Sequence, residues 1–289
     1  MGARVGDELK LAQLLFPDLV RDVQAAFETN GDGADGPTQA EATLAHAVQQ
    51  LKSSSLGHAG FDAFEVPGHH SGTDAVVATA FDEVRRIMTW IGGSVPEPEA
   101  FLAAGVDAVK LASALSGDAD LAIVPAPHGI GASGWRSLYR GAARQPGSPL
   151  SLAEPLVLAE EIAQSFATLD DVPEGVPAVV AGEGSGGAGA EVRWTLRLIP
   201  AGATPAVLGL SHLHGPHATI AEMLMLQLMR MTRGADPLDA RSFTWLNGVL
   251  SDGRFAARHV FDAGERNVRV TSREVGNQGP HLGARPPIG

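Results

Sequence analysis

Hydrophobic residues recur at helical spacing along the N-terminal part of the chain. Leu11, Leu15 and Leu19 follow one another at four-residue intervals, which places them on one face of an α-helix. The same kind of spacing predicts further helices over residues 39–51, 73–90 and 100–115. Strand-like alternation is scarce in this part of the chain, so we predict a helical region over residues 1–118.

The pattern changes at Ala119. The apolar run ADLAIVPAP is short and ends at prolines, which indicates a buried strand. Farther along, the pattern predicts a helix over residues 152–169 and a short strand over residues 176–181. The glycine-rich residues 182–189 predict a flexible linker or a hairpin tip, because glycine raises backbone freedom.

Strict alternation of apolar and polar residues begins beyond the glycine-rich segment. Trp194, Leu196 and Leu198 occupy one face of a predicted strand, and Arg193 and Arg197 occupy the other. We expect the three apolar side chains in the core and the two arginines outside it.

The rest of the chain predicts four more strands around one helix. The strands cover residues 205–214, 243–250, 254–262 and 268–275. The helix, Thr219–Arg233, is apolar almost all round and must be covered on most of its sides. The predicted fold is therefore α+β. An N-terminal helical region precedes a domain over residues 119–289, whose last third reads β-β-α-β-β-β around a mainly antiparallel sheet with one central apolar helix.

The C-terminal residues 275–289 show neither a helical nor a strand period. Asn277, Gln278 and His281 can form hydrogen bonds, and Leu282 offers an apolar anchor. We expect residues 276–282 to pack back on the domain near the histidines described below. That position would give His281 a structural or site-completing role.

Composition excludes several kinds of chemistry. The chain has no cysteine, so it cannot form disulfides, thiolate metal sites or iron–sulfur clusters. A net charge of −12 argues against general nucleic-acid binding. Neither a signal peptide nor a membrane-length apolar stretch is evident, so we expect a soluble, cytoplasmic protein without membrane association.

Charge is unevenly distributed along the chain. Residues 190–289 hold eleven arginines and eight acidic residues, a net charge of +3. Because the whole chain has a net charge of −12, residues 1–189 carry −15. A simple compositional bias is the favoured interpretation. The alternative is that the acidic part docks against the arginine-bearing part, within one chain or between copies of a homo-oligomer.

Three histidines lie close together in the stretch LSHLHGPHA. A strand over this stretch would place His212 and His214 on one face, and His217 could complete a divalent metal site, for example for zinc. Glu222 or Asp252 would then be the candidate proton acceptor of a metal-dependent hydrolase.

The histidine stretch resembles the His-x-His-x-Asp-His signature of the metallo-β-lactamase superfamily, which implies metal ligation by the same three histidines. Pro216 stands where that family has its aspartate, and a predicted β-meander follows where the family alternates strands and helices. The resemblance therefore assigns no family.

Other motifs carry weaker chemical suggestions. Gly129–Gly134 fits the glycine pattern of dinucleotide-binding loops, although the strand expected after its helix is missing. Residues 30–41 share the frame of a calcium-binding loop, and His69–His70 could join a metal site. His259 lies on an apolar strand face and is interpreted as a core residue.

Two functions remain after these considerations. The first is a non-catalytic interaction or assembly protein that binds a protein partner or itself and needs no cofactor. It is favoured because the catalytic motifs fail in their sequence context. The second is the metal-dependent hydrolase with the His-x-His-x-x-His site.

Overall fold

The computed structural model of the protein describes residues 61–64, 72–183 and 191–289. Residues 60–289 form one compact unit. Its fold is mixed α+β: helices pack on one three-stranded and one six-stranded sheet. The predicted helices and loops within residues 1–60 and 65–71, including the calcium-like loop and His69–His70, lie outside the described residues.

Within the described residues, three α-helices precede the first strand. They are α1 (Thr73–Met88), α2 (Pro98–Ala103) and α3 (Ala108–Gly117). The prediction of one helix over residues 100–115 was wrong, because the chain turns at Gly105 with φ +98°. A new helix then starts where the Asp107 side chain accepts a hydrogen bond from the Lys110 N–H.

The three-stranded sheet is antiparallel. Strand β1 (Leu121–His128) pairs with β4 (Glu191–Pro200), and β4 also pairs with β3 (Val179–Glu183). Helix α4 (Gly131–Ala143) follows β1 directly. The predicted strands are confirmed here. Of the predicted flexible segment 182–189, residues 182 and 183 belong to β3, and residues 184–189 lie outside the described residues.

Residues 152–169, predicted as one helix, contain a strand and two short helices. Strand β2 (Leu156–Leu158) pairs in parallel with β8 (Asn267–Glu274), and it is followed by α5 (Glu160–Gln164) and α6 (Phe166–Leu169). Pro155 immediately precedes β2 and disfavours continuous helix. Pairing with a distant strand overrides the local periodicity.

The six-stranded sheet contains the predicted meander. Strands β6 (Phe243–Val249), β7 (Phe255–Asp262) and β8 (Asn267–Glu274) are antiparallel neighbours. Strand β5 covers only Val207–Leu208, so the predicted strand over residues 205–214 was too long. Gly209, with φ +75°, ends it and leads into a short 3-10 helix at His212–His214.

The C-terminal residues pack back as predicted. Strand β9 (Leu282–Ala284) lies between β5 and β6, and the main chain of Ile288 pairs with Leu198 of β4. The prediction that Leu282 anchors the tail is confirmed, since its side chain is buried. His281 is exposed and contributes its carbonyl oxygen, which accepts a hydrogen bond from the Phe243 N–H.

Helix α7 (Ile220–Thr232) lies at the centre of the core. It contacts β1, α1, α4 and β6. Its apolar residues are buried from Ile220 to Met229, as its all-round apolar pattern predicted.

Strand β4 is buried on both faces rather than on one. Trp194, Leu196 and Leu198 are in the core as predicted, and Arg193 is exposed. The prediction for Arg197 was wrong: its residue is only 6% exposed because its guanidinium group pairs with Glu222 of α7.

Truncating a core residue of β4 tests the phase of this strand. Leu196→Ala should lower the free energy of unfolding by about 2–5 kcal/mol, the usual loss for a buried leucine. Chemical denaturation of both proteins measures this change. The exposed Arg193→Ala is the control on the same strand, and equal midpoints for Leu196→Ala and the parent protein would contradict the assignment.

Candidate functional site

The histidine corner, residues 211–217, links β5 to the N-terminus of α7. The 3-10 conformation replaces the strand geometry that was expected to align His212 with His214. Instead, the rings of His212 and His217 stack with their centroids 4.6 Å apart, and His212 also packs edge-on against Trp245. His214 turns away from this stack and forms a 2.7 Å hydrogen bond between its Nδ1 and the Ser211 hydroxyl.

The stacked rings of the histidine corner are held by main-chain oxygens. His212 Nε2 lies 3.0 Å from the Leu246 carbonyl oxygen, and His217 Nε2 lies 2.7 Å from that of His212. Each Nε2 must carry a hydrogen to donate these bonds, so it offers no lone pair to a metal ion. Burial lowers the pKa of both imidazoles, and for His212 the neighbouring His217 lowers it further.

The three-histidine metal site stays a prediction. Within the described residues, no group of three or more histidine, aspartate or glutamate side chains is arranged to hold a metal ion. The Asp252 carboxylate caps an exposed turn by accepting the Arg254 N–H. Glu222, the other predicted proton acceptor, is engaged in a different cluster.

That second cluster is a buried network centred on Glu222. Arg197 donates two hydrogen bonds of 2.7 Å to its carboxylate, from Nε to Oε1 and from Nη2 to Oε2. Glu222 also accepts the Thr219 N–H, while its own N–H donates to the Thr219 hydroxyl, so the two residues form a capping box at the start of α7. Glu222 therefore anchors the helix to β4.

The same network extends to the end of β1. The Thr195 hydroxyl donates to Glu222 Oε1 over 3.4 Å and lies 3.2 Å from Nε2 of His128. Burial lowers the pKa of His128, although the Glu222 carboxylate opposes that shift. Burial alone would raise the pKa of Glu222, but the hydrogen bonds and positive charge of Arg197 hold it below its ordinary value. The network thus contains an ionised carboxylate beside a neutral histidine.

The glycine-rich loop holds a carboxylate of its own chain. The N–H groups of Gly129 and Gly131 donate to Asp170 Oδ2 over 3.1 and 3.0 Å, and Trp135 Nε1 donates to Oδ1 over 3.5 Å. The predicted order of strand, glycine loop and helix is confirmed. Asp170 occupies the position at the start of α4 that an anionic ligand would take in such a loop.

The titration of Asp170 gives a test of this arrangement. Burial raises its pKa to about 7, although its three donors oppose the shift. The folded state therefore binds a proton more tightly than the unfolded state, whose pKa is near 3.8. The contribution of Asp170 to the free energy of unfolding is therefore greatest below pH 3.8, and it is lost as the pH rises towards 7.

Replacing this carboxylate should flatten the pH profile of stability. Between pH 4 and 7, the free energy of unfolding should fall less steeply with pH in Asp170→Asn than in the parent protein. The two slopes should differ by up to about 1.4 kcal/mol per pH unit. Urea denaturation across this range measures it. Glu174→Gln removes an exposed carboxylate four residues away and serves as the control; parallel curves for Asp170→Asn and the parent would refute the assignment.

A third buried cluster lies between β6, β7 and β9. His259 Nδ1 lies 2.9 Å from Asp239 Oδ2, Thr244 donates to the same oxygen, and Arg285 Nη2 donates to Oδ1 over 2.6 Å. His259 is fully buried on its apolar strand face, which confirms its assignment to the core. Arg285 also reaches the carbonyl oxygens of Pro200 and Gly202, so it ties the two sheets together.

The outer face of the six-stranded sheet carries arginines, of which Arg273 is exposed and Arg258 and Arg269 are half-buried. Strand pairing places Arg258 opposite Thr271 and Ala256 opposite Arg273, so both arginines project from one face. Arg258 donates to the Thr271 hydroxyl and lies 4.2 Å from the centre of the Phe243 ring. We call the surface formed by Phe243, Arg258, Arg269 and Arg273 the arginine face.

The arginine face has more guanidinium groups than carboxylates. Arg269 has a partner in Asp262, 3.4 Å away. Neither Arg258 nor Arg273 forms an ion pair with a carboxylate among the described residues. Burial lowers the pKa of Arg258, and the positive charge of Arg273 lowers it further. The two groups thus repel each other across the sheet. The sequence indicated this face, because Arg269 and Arg273 are four residues apart in a predicted strand and so project to the same side. The prediction did not include it.

Comparisons with known proteins add no function. No protein-family model matches the chain, and no match is found among curated proteins or solved structures. None of the helices in the described part of the chain combines the length and apolar character that crossing a membrane requires.

Proposed function

We propose that this chain is a non-catalytic interaction or assembly protein that binds an acidic partner surface through the arginine face. The observation that carries the proposal is the pair Arg258 and Arg273, which stand on a strand face without a carboxylate partner among the described residues. Repulsion between two neighbouring guanidinium groups is relieved when a negative partner binds.

The character of the arginine face supports a protein partner. Arginine and aromatic residues are enriched at protein interfaces, where guanidinium groups form bidentate bonds with carboxylates. Phe243 supplies an aromatic surface beneath Arg258 and is partly exposed. Its stacking limits the freedom of the guanidinium group, which reduces the entropy lost on binding.

The buried clusters support a structural role for the other charged groups. Glu222 is bound by Arg197, Asp170 by the glycine loop, and Asp239 by Arg285. Each of these carboxylates has contacts that hold two elements of the fold together. The arginine face, by contrast, presents donors to solvent.

Charge reversal on the arginine face tests the proposed function. Fluorescence anisotropy with labelled poly-L-glutamate should show binding that weakens as salt rises, because screening reduces attraction between exposed charges. Arg258→Glu/Arg273→Glu should abolish that binding. Arg140→Glu/Arg144→Glu changes the net charge equally at exposed positions on helix α4 and at its C-terminal end, and should retain it. Equal binding by the two double variants would overturn the proposal.

A further inference from the structure

We infer that the partner of the arginine face is a second copy of this chain, docked through the acidic surface of its residues 97–120. This inference rests on the proposed function, because it requires the arginine face to be a binding surface. It adds the identity of the partner and the surface that the partner presents.

Charge complementarity within one chain points to this partner. Residues 97–120 contain five acidic residues and one basic residue, a net of −4. Glu99, Asp118 and Asp120 are exposed, and no ion pair holds their carboxylates among the described residues. Each copy therefore carries both acidic and basic side chains that have no ion-pair partner among the described residues.

The fold separates these two surfaces. Helix α3, which ends just before Asp118, contacts β1 and β4 of the three-stranded sheet. The arginine face belongs to β6, β7 and β8 of the other sheet. A copy whose two complementary surfaces lie on different sheets associates head to tail, which is a heterologous contact.

The net charge of −12 makes two copies of the chain repel each other at long range. A second copy is equally acidic overall, so association needs the two complementary surfaces to meet directly. We therefore expect weak self-association that is specific in orientation and is lost at high salt.

Complementary variants test the head-to-tail contact. Sedimentation velocity of the full chain should show a mass that rises with concentration in low salt. Arg258→Glu/Arg273→Glu removes the basic surface, and Glu99→Lys/Asp120→Lys removes the acidic one, so each variant alone should be a monomer. Their mixture retains one intact interface and should give a discrete heterodimer that cannot grow further. Glu154→Lys/Glu174→Lys, at exposed acidic positions elsewhere, should associate like the parent.

The outcomes separate this inference from the proposed function. A parent protein that stays monomeric but binds poly-L-glutamate through the arginine face would overturn the second copy and leave the proposed function standing. Binding of single-stranded nucleic acid without self-association would likewise overturn it. Self-association that persists in either double variant, or a mixture that stays monomeric, would also overturn it. A parent protein that neither self-associates nor binds poly-L-glutamate would overturn both proposals. Circular dichroism of each variant confirms that it is folded.

Discussion

Asp239→Asn should destabilise the protein by about 3–5 kcal/mol, because it leaves Arg285 buried without its counter-ion. Both side chains are fully buried, so water cannot replace the lost charge. Asp239 has φ +59°, a conformation that asparagine tolerates well, and the substitution therefore tests the charge rather than the backbone. Equilibrium denaturation with urea measures the change.

Removing both charges provides the control for Asp239→Asn. Asp239→Asn/Arg285→Met should recover part of the lost stability, since no unpaired ion then remains in the core. Ser242→Ala removes only a 3.3 Å hydrogen bond to the same carboxylate and should have a much smaller effect. If the double variant is no more stable than Asp239→Asn, the unpaired Arg285 is not the cause of the loss.

Glu222→Gln should cost about 3 kcal/mol by leaving Arg197 without its counter-ion. Glutamine at this position still completes a capping box, so the start of α7 is preserved. Thr219→Ala, which removes the other half of the capping box and leaves the ion pair, should cost about 1 kcal/mol. Thermal denaturation of the two variants distinguishes the charge from the cap.

The same substitution should change the acid sensitivity of the protein. The pKa of Glu222 is lower in the folded protein than its ordinary value of 4.5, so its contribution is present above that value. The contribution is lost as the pH falls through the folded pKa. The parent should therefore lose stability below about pH 5 more steeply than Glu222→Gln. If the stability of the parent and of Glu222→Gln changes identically with pH in acid, Arg197 does not hold Glu222 in its ionised form.

Local patterns predicted the elements that are long and uniform in character. Helix α7 was predicted because it is long and apolar almost all round, and strands β6, β7 and β8 were predicted because turn residues separate three segments of strand length. The short strand β2 was missed because three residues contain too little periodicity. Its existence depends on the edge offered by β8, which a local window does not include.

The candidate site was less predictable, because its partners are distant in the chain. Arg197 alternates like a solvent-facing residue, and only the packing of α7 against the sheet brings Glu222 to it. The Asp170 carboxylate reaches a glycine loop some forty residues earlier, as the contact between Gly131 and Asp170 shows. The histidines drew attention through their proximity in sequence, yet a 3-10 turn separates His214 from the stacked pair.

The sheet pairing also determines how the chain must fold. Leu121 pairs with Pro200, Leu156 with Val268, and Val207 with Ala284, so both sheets depend on contacts between distant segments. Each such contact costs loop-closure entropy before it gains stability, which makes folding slow. The hairpins of β6, β7 and β8 are local and should form first. Refolding should therefore pass through species with unpaired strand edges, and dilute, cool conditions should raise the yield of native protein by limiting aggregation.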